Sequence, residues 1–272
     1  MIDIIMKDVH LGYGREVFLK GLTFQVRSGE MVGLIGTNGC GKSTIIRALS
    51  NIITPHSGKI LINNKDIARL SRRELARLVA VVPQIPLLPS ASTAFEIVLM
   101  GRNPHLGLFQ YEGKLELDIA WQAMEKTGTC SLAGRRVGEL SGGEIQSLLI
   151  ARALAQETKI ILLDEPTANL DIGRQIEILD LIKNLCRNSH IAILAALHDL
   201  NLAAQYCDKL VLINNGWVQA EGPPSKVITA DNMAAVYGAE SCVFTHPVNG
   251  LPCVLLSAGN SRATRSRDRL RR

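Results

Sequence analysis

Nine consecutive residues, Gly36-Thr37-Asn38-Gly39-Cys40-Gly41-Lys42-Ser43-Thr44, constrain this chain more than any other feature. They complete the glycine-rich phosphate-loop pattern, after an apolar run at 31–35 and before a stretch at 43–50 with the composition of a helix start. Strand, glycine loop and helix is the context the pattern requires. The glycines permit a tight turn with inward-facing amides, and the helix behind it offers its positive end to a phosphate. Gly36, Asn38, Gly39, Gly41 and Thr44 thus belong to a phosphate cradle. Lys42 adds a point charge that reaches the β and γ phosphates, and Ser43 offers a hydroxyl to Mg²⁺. Cys40 lies in the cradle as a tolerated small residue.

A second apolar run, Ile160-Ile161-Leu162-Leu163, ends at Asp164-Glu165. In parallel sheets ligands collect at the carboxyl ends of strands. Asp164 is therefore placed to hold Mg²⁺ directly or through water, and Glu165 to orient or deprotonate an attacking water. The plain alternative, an acidic strand-end turn stopped by Pro166, loses weight beside a complete phosphate loop. Leu140-Ser141-Gly142-Gly143-Glu144 carries two compatible readings. Ser141 and Glu144 satisfy a capping box at a helix start, whereas Gly142 and Gly143 would each cost a helix about 1 kcal/mol against alanine. That cost makes sense where the backbone must approach a ligand closely.

The remainder alternates strand and helix. Strands are expected at 2–9 and 18–26 around a turn-rich Leu11-Gly12-Tyr13-Gly14, then at 59–63 and 79–82, with a charged helix at 71–77 between the last two. From 85 to about 140 prolines punctuate the chain, helices are expected at 93–100 and 116–127, and strand signals vanish. Alternation resumes with helices at 142–156, 172–186 and 200–207, strands at 159–163 and 191–195, and a hairpin of 209–213 with 217–220. Short, wholly apolar strands fit a parallel sheet covered on both faces. The expected fold class is α/β: a P-loop nucleoside triphosphatase core with a predominantly parallel sheet, an antiparallel β subdomain and an inserted helical subdomain. Residues 1–84 and 141–256 would form the core, 85–140 the helical insertion, and 257–272 a flexible basic tail.

Much of the formal charge of +5 sits in that tail, with Arg262, Arg265, Arg267, Arg269, Arg271 and Arg272 around Asp268. It reads first as a solvated terminus, with contact to nucleic acid or anionic lipid the weaker reading; no function is assigned to it and no nucleic-acid partner is expected. No run is long and apolar enough to span a bilayer, and the start lacks a signal-type segment. The chain is therefore expected to stay in the cytosol, and any membrane role must come through a partner. The six cysteines show no metal-ligand spacing, and reduced thiols are expected, a Cys242–Cys253 disulfide being the weaker reading.

In the order of these motifs the chain resembles the ATP-binding subunits of ABC transporters, from Tyr13 to about Gly222. The resemblance implies that Ser141, Gly142 and Gly143 form the signature that reaches the γ-phosphate of ATP held by a second copy. It implies that Gln84 is the Q-loop glutamine linking Mg²⁺ and water to the permease-facing lobe, and that Asp171 is the D-loop aspartate. His198 would be the switch histidine near the γ-phosphate, and Tyr13 the aromatic side chain stacked on adenine. Two copies would sandwich two ATP molecules and hydrolyse them with Lys42, Gln84, Glu165 and His198. The sequence departs from the pattern at Glu144, where glutamine is usual, and at Ala168-Asn169. Gly101-Arg102-Asn103-Pro104-His105-Leu106-Gly107 and His246-Pro247-Val248-Asn249-Gly250 resemble the subgroup serving iron-siderophore, haem and cobalamin importers, although ordinary turns would also produce them. The implied partners are a homodimer mate, a membrane permease dimer met by the helical lobe and, indirectly, an extracytoplasmic substrate-binding protein. Import of free metal ions or oxyanions is the runner-up, and a soluble ATPase outside transport ranks below it.

Overall fold

A computed structural model describes residues 3–107, 110–238 and 241–256. The basic tail lies outside these residues. The chain opens with an antiparallel hairpin of β1 (Asp3–Tyr13) and β2 (Glu16–Arg27). β1 runs through the segment expected to be turn-rich, because Leu11 is fully buried and Gly12 lies against the opposite strand, where a Cβ would stand 1.7 Å from Glu16 O. β3 (Met31–Gly36), buried at every position, leads to α1 (Lys42–Leu49). β4 (Ser57–Ile62) and the unexpected two-residue β5 (Lys65–Asp66) extend the antiparallel sheet in the order β2-β1-β4-β5.

α2 (Arg72–Ala76) precedes β6 (Val79–Val82), and α3 (Ala94–Leu99) and α4 (Lys114–Lys126) follow. α5 (Gly142–Ala155), β7 (Ile160–Asp164), α6 (Ile172–Ser189), β8 (Ala192–Ala196) and α7 (Leu200–Tyr206) restore the alternation. β9 (Lys209–Asn214) and β10 (Trp217–Gly222) form the expected hairpin. Two short helices, α8 (Pro224–Val227) and α9 (Ala230–Tyr237), and the hairpin of β11 (Ser241–Thr245) with β12 (Pro252–Leu256) close the described chain.

The main sheet has the order β10-β9-β3-β8-β7-β6, parallel throughout except for β10. Alternation along its strands divides the core. Ile35, Ile161, Leu163 and Ile193 face α5, α6 and α7, whereas Leu34, Ile160, Leu162 and Leu194 face α1 and the antiparallel sheet. A third cluster joins Ala94, Ile97 and Val98 of α3 to Ala120 and Met124 of α4 and to Leu148, Ala151 and Ala155 of α5. α5 thus serves two cores, since its Leu149, Ile150 and Ala153 pack against the sheet.

The parallel register is what builds the site. Gly36 ends β3 and Asp164 ends β7, while Gln84 and His198 each lie two residues beyond the ends of β6 and β8. Four strand ends therefore deliver four chemical groups to one edge of the sheet. All six cysteines are free; in the closing hairpin Cys242 faces Leu255 and Cys253 faces Phe244, so that pair is out of register for a disulfide. Burial pushes the Cys186 thiol up to about 11 and the Cys207 thiol up to about 12, which leaves both inert near neutrality. Among the described residues, no helix is long and apolar enough to cross a membrane.

Candidate nucleotide-binding site

An open cavity of about 370 Å³ at the carboxyl edge of the sheet is lined by Tyr13, Phe18, Asn38, Gly39, Gly41, Lys42, Ser43, Thr44, Gln84, Glu165 and His198. Its floor is the loop between β3 and α1. Gly36 adopts φ +147°, and a Cβ there would lie 2.4 Å from Ile213 O. Gly41, at φ +104°, is the residue before α1, and a Cβ on it would strike Leu19. Both positions demand glycine for reasons internal to the chain.

Lys42 is buried, and its Nζ donates to Gly36 O at 2.9 Å and Thr37 O at 3.1 Å. An ammonium has three protons, so two carbonyls fix its direction while a third donor remains for an anion. Cys40 packs beneath the loop with Sγ 4.0 Å from that ammonium. Its thiol is pushed up by burial, against the pull of Lys42, and so remains protonated.

Ser43 Oγ donates to Asp164 Oδ1 at 2.9 Å. Burial raises the Asp164 pKa, with the neighbouring charge of Glu165 adding to the rise and the Ser43 hydrogen bond opposing it. A hydroxyl and a partly desolvated carboxylate are hard oxygen donors of the kind Mg²⁺ prefers. Among the described residues no group of three or more His, Cys, Asp or Glu could hold a metal by itself. A cation here would thus need waters and phosphate oxygens to complete its shell.

Glu165 sits at φ +53°, a left-handed conformation unusual for a glutamate. Its Oε2 accepts from Gln84 Nε2 and its Oε1 meets His198 Nε2. The carboxylate is held between the two side chains at the rim of the phosphate cradle. Tyr13, half exposed, lies across the cavity; its hydroxyl is 3.2 Å from Thr44 Oγ1 and accepts from Arg47 Nη1 at 3.4 Å.

The other expected residues lie elsewhere. Ser141, Gly142, Gly143 and Asp171 do not line this cavity. Ser141 caps α5, with Glu144 N donating to Ser141 Oγ at 3.4 Å and Ser141 N to Glu144 Oε2 at 2.7 Å. Those bonds hold the Glu144 carboxyl below its usual range, and Arg135 Nη1 pairs with it at 3.0 Å. Asp171 caps α6 by accepting from Arg174 N at 3.0 Å.

The ABC transporter family matches residues 19–168. The cobalamin import ATP-binding protein BtuD of Halobacterium salinarum is 40% identical over 92% of this chain and 62% of its own. This chain therefore spans less than two thirds of that relative. The ferric enterobactin transport ATP-binding protein FepC of Escherichia coli is 39% identical over 90% of each chain. The chain belongs to the ABC transporter family. In structure, this ABC transporter chain is similar to an inward-facing structure assigned to a metal-chelate type ABC transporter, with a TM-score of 0.83 and 28% identity over 94% of this chain and 98% of the other.

Sequence reasoning missed two side chains at this ABC site. Phe18 stacks on Tyr13 with ring centroids 5.7 Å apart. Strand alternation could not have revealed it, because Phe18 is the extra residue where the register shifts between the Leu11–Leu19 and Gly12–Val17 pairs. Arg47, one helical turn after Ser43, reaches Tyr13 and contributes positive charge near Asp164.

The segment around His105 is a joint rather than an ordinary turn. Arg102 is buried and donates from Nη1 to Ala155 O at 2.7 Å and to Glu157 Oε2 at 2.8 Å. His105 Nε2 lies 2.9 Å from Gln156 O, and Arg73 and Arg77 each donate from Nε to Pro104 O at 2.9 Å. A Cβ on Gly101 would stand 2.4 Å from Arg152 O. Beside this joint, between α2 and α5, runs a groove of about 780 Å³.

Proposed function

We propose that this chain is the ATP-hydrolysing subunit of a membrane importer, acting as a dimer with a second copy of itself. The observation that carries the catalytic part is the Glu165 carboxylate held by Gln84 and His198 directly beside the Lys42 cradle. Lys42 and the loop amides bind the phosphates. Tyr13 and Phe18 offer an aromatic surface for the base. Ser43 and Asp164 would hold Mg²⁺, which neutralises charge on the phosphates when bound. Glu165 orients a water for attack and accepts its proton, and the Gln84 and His198 contacts fix the carboxylate for that task.

The dimer reading rests on Gly142 and Gly143. A Cβ on Gly142 would meet Leu170 only at 3.9 Å, and one on Gly143 would meet the flexible Arg174 side chain at 3.4 Å. Nothing inside the chain demands glycine there. An approach from outside, by the phosphates bound to a second copy, supplies the reason. Ile172, beside Asp171, is 76% exposed, as suits a residue covered on association.

The metal-chelate reading rests on the relatives, named for cobalamin and ferric enterobactin. A permease dimer would meet the helical lobe, near the groove at the Gly101–His105 joint, at the cytoplasmic face of the membrane. Purified chain should turn over ATP in the presence of Mg²⁺, and Lys42→Ala should lose nucleotide affinity. Unchanged affinity in that variant would contradict the cradle. Stimulation of turnover by a metal-chelate permease, and not by one for free ions or oxyanions, tests the substrate class.

A further inference from the structure

His198 is held on one side by Glu165, and the following chain shows what holds it on the other. Asp199 caps α7 by accepting on Oδ1 from Asn201 N at 2.8 Å and Leu202 N at 2.9 Å. The His198 backbone therefore continues into a locked helical turn. Asn201, on that turn, points its amide at the closing hairpin: its Nδ2 donates to Val254 O at 3.2 Å, and its Oδ1 accepts from Val254 N at 2.8 Å. One side chain satisfies both backbone groups of a single β12 residue, as a neighbouring strand would.

Packing and directional bonds meet in this region, where Leu200, Leu202, Tyr237 and Val243 lie against the core that holds Val254. A cavity of about 310 Å³ is lined by His198, Asn201, Met233, Tyr237 and Val254. A two-stranded hairpin is itself marginal in water and depends on its docking. Val254, buried in the main core, and the Asn201 bonds supply that docking. The hairpin lies well beyond residue 168, where the family match ends.

We propose that Asn201 is a positioning residue for ATP hydrolysis: by clamping Val254 it ties the β11–β12 hairpin to the α7 turn and so sets where His198 meets Glu165. This rests on the hydrolytic reading above. Asn201→Leu keeps the volume and removes both bonds, whereas Asn201→Asp keeps the acceptor for Val254 N and removes the donor to Val254 O. The intact chain with MgATP is compared across wild type and both variants, by steady-state turnover and by NMR of the labelled histidines.

Asn201→Leu should lower kcat about tenfold with the ATP KM within about twofold, as expected when only the transition state loses an interaction. The His198 imidazole signal should move while those of His10, His56 and His105 stay in place. Asn201→Asp should show a smaller loss and a smaller movement, and it carries the test if Asn201→Leu does not fold. An unmoved His198 signal, or a rise in KM matching the fall in kcat, would overturn the clamp. A wild type without turnover, or a Glu165→Gln variant that retains it, would instead sink the hydrolytic reading.

Discussion

The two glycine-rich turns of this molecule look alike in sequence and differ in what surrounds them. At the phosphate loop, Gly36 and Gly41 are pinned by Ile213 O and by Leu19, so the turn is completed by its own chain. At the start of α5, Gly142 and Gly143 meet nothing closer than ordinary contact. The first is a finished cradle, and the second is a surface built for something that approaches. The contrast suits the proposed composite site, in which one copy would supply the lysine and carboxylates and its mate a capped helix start without side chains in the way.

The largest expected effect falls on the finished half. Glu165→Gln keeps the hydrogen bond from Gln84 yet removes the proton acceptor, and steady-state turnover should fall roughly a thousandfold with ATP still bound. Retained turnover would remove Glu165 from its role. Gly36→Ala forces a Cβ against Ile213 O in a backbone conformation hostile to alanine. Chemical denaturation should show a loss of about 2 kcal/mol or more, together with lost nucleotide affinity.

Gly142→Ala should do the opposite. Stability should stay within about 1 kcal/mol of wild type, on the favourable side, while turnover falls at least about tenfold because the partner's phosphates meet a methyl group. Equal turnover would erase the contrast between the two turns.

The smallest effect sharpens the cost of function. Burial lifts the Asp164 pKa, so this carboxyl favours folding most when protonated. Its contribution is full below the unfolded value and is lost as pH rises through the folded one. Asp164→Asn should therefore raise Tm by a few degrees at neutral pH, with a smaller gain in acid, and should impair Mg²⁺-dependent turnover. An unchanged Tm across that pH range would show that desolvation there is offset.

Much of this was legible in the residues. Wholly apolar runs such as Ile160-Ile161-Leu162-Leu163 gave the parallel strands, because burial on both faces leaves no room for alternation. The phosphate loop declared itself because its pattern is contiguous, even though Gly36 and Gly41 answer also to the distant Ile213 and Leu19. Other features depend on distant chain. Tyr13 belongs to a strand because Glu16 lies opposite it, β5 is too short to leave a pattern, and α5 divides its faces between two cores. The Gly101–His105 joint was visible as a motif, but its purpose required Ala155, Gln156 and Glu157 beside it. Asn201 gave no signal at all, since its partner lies 53 residues away and is a backbone.

Whether two copies complete each other's site is read by light scattering of Glu165→Gln with and without MgATP. Monomers are expected in the absence of nucleotide, and a dimer holding two ATP molecules in its presence. A variant that binds ATP and stays monomeric at every protein concentration would contradict that expectation.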